Sequence, residues 1–415
     1  MKPLRLTAIV ALLLSAACAK DPAGGPGAPP RITALPRALT GQEQQLIDAD
    51  NRFAITLLKQ VTADTRDTLP NLFISPLSVA TALAMTYNGA AGTTEEAMRS
   101  TLQLDGMSVA EVNESYRSLI ELLRNLDSHV RFQIANSIWY RQGLPVEQSF
   151  LDVNREYYDA RVTALDFDSP AAPAAINSWV DQETNGLIKQ ILETIPRDMV
   201  MYLIDAIYFK GDWTYQFDPD RTKPRPFHLA DGTTVAVPTM ARAAAELRTG
   251  RRPNATIVDL SYGGAAFSMT IVVPDDTSSV EHLVDGITPA QWSDWTASLE
   301  PSESELFLPK FKLTNALSLA PSLIALGMGV AFTGQADFTR IHTPSEMYIS
   351  EVNHNSYVDV NEEGTVAAAV TSVGMGITSV GPEPIIIDRP FVFALRENLS
   401  GTILFMGVIR DPATK

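Results

Sequence analysis

The chain has 415 residues and a formal net charge of −16, with 32 Lys and Arg against 48 Asp and Glu. That balance argues against a nucleic-acid or heparin-like partner, since such affinity needs clustered cations that release counterions, and the segment Val109 to Arg124 has no basic face. Apolar residues make up 45 %, enough for a sizeable core, and the length admits one large mixed domain or two average ones.

In chain order, Lys2 and Arg5 precede an apolar run, Leu6 to Leu14, followed by Ser15, Ala16, Ala17 and the sole cysteine, Cys18. The run is too short to span a bilayer as a mature helix, so residues 1–17 are expected to be a signal peptide that is removed. Leu14 to Cys18 resembles a bacterial lipobox, departing from it at Ser15, where Leu is usual. The expectation is lipidation at Cys18 and a protein anchored in the cell envelope, with Ala19 resembling the outer-membrane sorting signal. Conventional secretion and a retained anchor are the alternatives. Residues 18–40, rich in Pro, Gly and Ala, read as a flexible tether ahead of a domain over 41–415.

Leu46, Ile47, Phe53, Ala54, Leu57, Leu58 and Val61 recur at helical spacing and predict a first helix. Ser75-Pro76 opens a second, with Ser capping and Pro at the first helical position, where its missing N–H costs nothing. Thr93-Thr94-Glu95-Glu96 offers a capping box for a third. Ile176, Trp179, Val180, Leu187, Ile188 and Ile191 form one stripe of a helix over about 170–192. Strands dominate further on: Met201 to Phe209, Phe267 to Val273, Leu306 to Leu313, Met347 to Val360, Phe391 to Leu395 and Ile403 to Val408. Helices first and strands later predict an α+β fold with a largely antiparallel sheet.

The run Gly364 to Ser379 is uncharged, is entered from Glu362-Glu363 and is closed by Pro382 and Pro384. Its small and β-branched residues suit a strand, while its glycines and proline-bounded exit suit an exposed loop. In alternation, Thr365, Ala367, Ala369, Thr371, Val373, Met375 and Ile377 share one face, which is small near Gly364 and larger further on. By itself this reads most simply as a core strand or hairpin.

Its surroundings resemble the serpin family. The carriers are Glu362 to Ala369, Arg389-Pro390-Phe391 and Thr402 to Gly407, together with Asn71 to Ser78, Ile176 to Val180, Phe209 to Trp213, Leu308 to Phe311 and Leu326-Gly327-Met328. The resemblance covers about residues 43 to 412. It implies a serpin fold of about nine helices around three β-sheets, with an exposed reactive-centre loop. It also implies an irreversible suicide inhibitor of serine proteases, or of cysteine proteases: the loop is cleaved to an acyl-enzyme and then inserts as a new strand in the main sheet. Serpin loop insertion is an established example of strand addition and strain release.

The resemblance makes Glu363, Gly364, Thr365, Val366, Ala367, Ala368, Ala369 and Val370 the loop hinge. Small inward residues leave that hinge unobstructed, and Gly364 is expected to supply backbone freedom. Val366 replaces the family's usual glutamate, which predicts a greater tendency to loop-sheet polymers. Fourteen residues on from Gly364 the family spacing puts the cleaved bond at Thr378-Ser379, with Met375 and Ile377 as alternatives. Ile377-Thr378 suits the shallow apolar pocket of elastase-like or subtilisin-like proteases. The sheet-opening region falls on Ser75, Ser78, Asp205 and His354. Asp205 departs from the family's asparagine, and an isolated buried carboxylate is costly, so a contact between Asp205 and His354 is expected. Trp213 reads as a core aromatic.

The five histidines match no metal-protease spacing, and no Gly-x-Ser-x-Gly elbow or phosphate-binding glycine loop occurs. No metal, cofactor or catalytic residue is therefore expected, and a monomer is the default. A non-inhibitory serpin-fold binding protein is the competing reading. A hydrolase is the third.

Overall fold

The computed structural model describes residues 28–344, 346–365 and 383–414. The signal peptide, Cys18, the hinge from Val366 to Val370 and the Thr378-Ser379 bond lie outside the described residues. Among those described are nine α-helices: α1 (Gly41–Thr65), α2 (Pro76–Tyr87), α3 (Gly92–Thr101), α4 (Val109–Asn125), α5 (Gln148–Tyr158), α6 (Ala172–Glu183), α7 (Val280–Gly286), α8 (Pro289–Ala297) and α9 (Ala320–Leu323). The strands are β1 (Asn71–Ile74), β2 (Val130–Arg141), β3 (Arg161–Leu165), β4 (Met201–Asp212), β5 (Lys223–His228), β6 (Thr234–Arg252), β7 (Ala255–Tyr262), β8 (Phe267–Pro274), β9 (Glu300–Pro309), β10 (Phe311–Ser318), β11 (Asn353–Val360), β12 (Gly364–Thr365), β13 (Ile385–Ile386), β14 (Phe391–Glu397) and β15 (Ile403–Ile409).

These strands form a six-stranded main sheet in the order β10-β11-β12-β4-β2-β3 and a nine-stranded sheet in the order β1-β15-β14-β8-β7-β6-β9-β13, with β5 beside β6. The expected α+β architecture is present. Two of the three expected sheets are joined by hydrogen bonds because β6 and β9 run through both, shifting register between Arg242 and Ala245. β14 and β15 are buried along their whole length, as central strands covered on both faces require. β11 instead alternates, with its even-numbered residues inward. Phe73 stacks on Phe405 and Phe393 at centroid distances of 5.1 and 5.7 Å and ties β1 to both strands.

Four local expectations are corrected. Leu306 to Leu313 is not one strand: β9 ends at Pro309 in the nine-stranded sheet and β10 starts at Phe311 in the main sheet. α3 begins at Gly92 with no side-chain cap, so Thr94 lies within the helix, where its hydroxyl accepts from Asp337 N at 2.8 Å instead. α6 ends at Glu183 because Asn185 and Gly186 take left-handed φ values of 52° and 80°. Leu187 to Ile191 are therefore not helical, although Ile188 and Ile191 still pack with Trp179 over the main sheet. Residues 347–352 are not a strand, and β11 starts only at Asn353.

The described part of the expected tether lies against the domain. Ile32 N donates to Gly264 O at 2.7 Å, and Ile32, Leu35 and Leu39 pack on the core. Thr40 then caps α1 in a capping box with Glu43.

Candidate functional site

The site is the place in the main sheet where the chain enters the loop. Leaving β11, Asn361 turns the backbone, its side chain accepting from Glu363 N at 3.0 Å and its carbonyl from Trp213 Nε1 at 2.9 Å. Glu362 anchors the turn: its carboxylate accepts from Lys310 Nζ at 2.6 Å and Thr222 Oγ1 at 2.7 Å. Burial alone pushes the Glu362 pKa up, but these partners outweigh it and hold the group below the usual carboxylate range. Trp213, buried and stacked on Tyr262 at 4.4 Å, donates its own N–H to Glu363 O at 2.7 Å. It is the core aromatic that the sequence suggested.

Gly364 and Thr365 then form β12, inserted between β11 and β4 with Thr365 opposite Val360 on one side and Gly211 on the other. Thr365 is buried and shares a 2.7 Å hydrogen bond with the Tyr262 hydroxyl. Gly364 is needed here for close approach rather than for an unusual φ: a Cβ would lie 2.1 Å from Gly211 O. The expected reason, backbone freedom, is replaced by packing.

β12 is antiparallel to both neighbours, so β4 and β11 run parallel to each other. Beyond Thr365 no described strand lies between them. Their lower parts flank a cavity of about 860 Å³, bounded by β4 from Met201 to Ala206, by residues 346–355, and by Ser78, Val79, Ala82 and Leu83 of α2. This slot has β12 at its head.

The four residues expected to govern sheet opening meet at the slot, in a different pairing. His354 Nε2 accepts from Ser75 N at 3.0 Å, which makes the ring neutral, and burial pulls its pKa down to about 4. Ser75 Oγ donates to Leu404 O at 2.8 Å and accepts from Ser78 N. Ser78 Oγ donates to Asp205 Oδ1 at 2.5 Å. The expected contact between Asp205 and His354 is thus absent. A neutral imidazole committed to a backbone amide offers no charge, and the nearer hydroxyl of α2 takes the carboxyl group. Sequence reasoning missed Ser356, which donates to Phe73 O at 2.6 Å, and Asn315, which accepts from Phe73 N at 2.7 Å. Their signal was a polar residue at an inward position of an alternating strand. Tyr262, Lys310 and Thr222 carry no such local mark.

The main sheet thus has a strand position framed by β4 and β11, with Gly364 and Thr365 seated at its head. The family model described as Serpin (serine protease inhibitor) matches residues 48–412, and the chain belongs to that family. It is 32 % identical over 381 residues to a leukocyte elastase inhibitor of Xenopus laevis, covering 89 % of this chain and 100 % of that one. Among solved structures, the thermophilic serpin tengpin in its native state matches at 29 % identity and TM-score 0.81, covering 92 % of this chain and 97 % of that one. A thyroxine-binding globulin in complex with thyroxine matches at 27 % identity and TM-score 0.80, with 88 % and 99 % covered.

Proposed function

We propose that the chain is a suicide-substrate inhibitor of serine proteases that acts by loop cleavage, acyl-enzyme trapping and insertion of the loop into the main sheet. The observation that carries this reading is the seating of Gly364 and Thr365 between β4 and β11, above a cavity that continues the same strand position. Insertion there adds an antiparallel ladder on each side of the new strand, one to β4 and one to β11. About ten new ladder hydrogen bonds at about 1 kcal/mol net each, with burial of Val373, Met375 and Ile377, give a driving force on the order of 10 kcal/mol. The uncleaved state is therefore kinetically trapped.

The small inward residues Thr365, Ala367 and Ala369 favour an inhibitory hinge. Cleavage at Thr378-Ser379 fits an elastase-like or subtilisin-like target, a direction in keeping with the leukocyte elastase inhibitor among its relatives. The reading extends to residues 1–17 as a signal and Cys18 as a lipidation site, a pattern that supports anchoring in a bacterial cell envelope, at the outer membrane.

A second reading, a serpin-fold binding protein that does not inhibit, is favoured by the likeness to a thyroxine-binding globulin solved with its ligand. Thermal unfolding before and after cleavage within residues 366–382 separates the two. Insertion predicts a gain on the order of 20 °C. A cleaved form that melts where the intact form does rejects loop insertion.

A further inference from the structure

A carboxyl group is sealed into the wall of the slot. Asp205 lies in the middle of β4, and the residue keeps some exposure at the cavity. Its Oδ2, however, is shut off from solvent and has no hydrogen-bond partner among the described residues, while Oδ1 takes the Ser78 hydroxyl at 2.5 Å. The groups around it supply no compensating charge. Opposite in the ladder stands Asn136, whose amide donates to Tyr158 O. α2 presents Ser78, and α4 and α5 present Tyr116 and Tyr158. α1 presents Asp50, another buried acid, whose Oδ1 accepts from Tyr116 at 2.7 Å. β11 presents His354, neutral and bound to Ser75 N. The remaining titratable groups at the cavity are Asp198, Tyr202, His342, Glu346, Tyr348 and Glu351. α6, which carries Asp181 and Glu183, packs against the Trp139 face of the sheet.

We propose that Asp205 is a proton-operated latch: its uncharged carboxyl lets β4 seal against α2 with Oδ2 buried and unpartnered, and loss of the proton leaves an unsolvated charge that loosens this part of the sheet and opens the slot to solvent. A carboxylate in such a site lacks the solvation that opening would restore, so ionisation and opening favour each other. Burial, opposed only by the Ser78 hydrogen bond, pushes the Asp205 pKa up to about 8. The latch thus weakens as pH rises towards about 8 and changes no further in stronger alkali. His354 titrates far below that range. Asp50, raised by burial to about 7, is the group to be separated from it. This inference deepens the inhibitor reading, because a slot that opens more readily takes up the loop faster. Asp205 acts here as a positioning residue.

The test is hydrogen exchange by mass spectrometry on the full chain between pH 6 and 9.5, following segments within residues 201–206 and 347–355 after correction for intrinsic exchange. The latch predicts an opening constant that grows up to tenfold per pH unit from pH 6 to about 8 and levels off above it, where the closed form has itself lost the proton. Asp205→Asn abolishes the rise and Asp50→Asn preserves it. Ser78→Ala moves its plateau to higher pH, because the Ser78 donor favours the anion. An identical pH course in wild type and Asp205→Asn overturns the proposal, as does a rise lost in Asp50→Asn alone. If Asp205→Asn does not fold, the Ser78→Ala plateau decides, and a plateau unmoved or moved to lower pH overturns it. Flat exchange with intact protease trapping rejects the latch alone. A pH-dependent opening without trapping rejects the inhibitor reading alone.

Discussion

Gly364 and Gly211 meet backbone to backbone at the head of the slot, so closely that a Cβ on Gly364 would lie 2.1 Å from Gly211 O. Gly211 is itself confined, since a Cβ there would lie 2.9 Å from the Tyr262 ring. Two glycines and one tyrosine thus fix how closely β12 approaches β4.

Gly364→Ala is expected to push β12 off β4, at a cost typical of overpacking, about 1–3 kcal/mol. The loss should appear as a lower denaturation midpoint and as faster hydrogen exchange at Thr365. Unchanged exchange there would mean that the backbone of β4 gives way instead.

His354 sets an acid limit on the closed sheet. Its pKa is depressed from the ordinary 6.5 to about 4, so the unfolded chain binds the extra proton first. The stability due to the neutral ring is fully present above about pH 6.5 and is lost as pH falls to about 4. That difference corresponds to about 3 kcal/mol for this buried group. Between pH 7 and pH 4 the wild type should lose about that much more unfolding free energy than His354→Gln, in which an amide oxygen can accept from Ser75 N without taking a proton. Equal losses would assign the acid limb to other groups.

Phe73 is wedged between Phe393 and Phe405 with nearly parallel rings. Its backbone also takes hydrogen bonds from Ser356 and to Asn315. Phe73→Ala should cost about 3–5 kcal/mol, read from the urea midpoint at constant slope. A cost under about 1 kcal/mol would show that the aromatic stack closes over the gap.

Much of the fold was legible because local signals and tertiary demands agree. The Ser75-Pro76 helix start and the buried runs of β14 and β15 need only cap chemistry and apolar patterning. The end of α6 was misplaced because the apolar stripe continues through Ile188 and Ile191, which pack on the same cluster after the helix has ended at Asn185-Gly186. Periodicity reports the buried face and not the backbone that carries it. The pairing around Asp205 was not legible because it depends on distances between α2, β4 and β11, which no sequence pattern encodes. The role of Gly364 was misread for a related reason: close approach to Gly211 comes from a strand far away in the chain.

The central claim is tested most directly by incubating the purified full-length chain with pancreatic elastase, subtilisin and trypsin, then analysing the mixtures by denaturing electrophoresis and mass spectrometry. The account predicts a covalent complex that survives denaturation with elastase or subtilisin, and a released C-terminal peptide beginning at Ser379. Clean cleavage by all three proteases without any such complex, and with no gain in thermal stability of the cleaved chain, would contradict it.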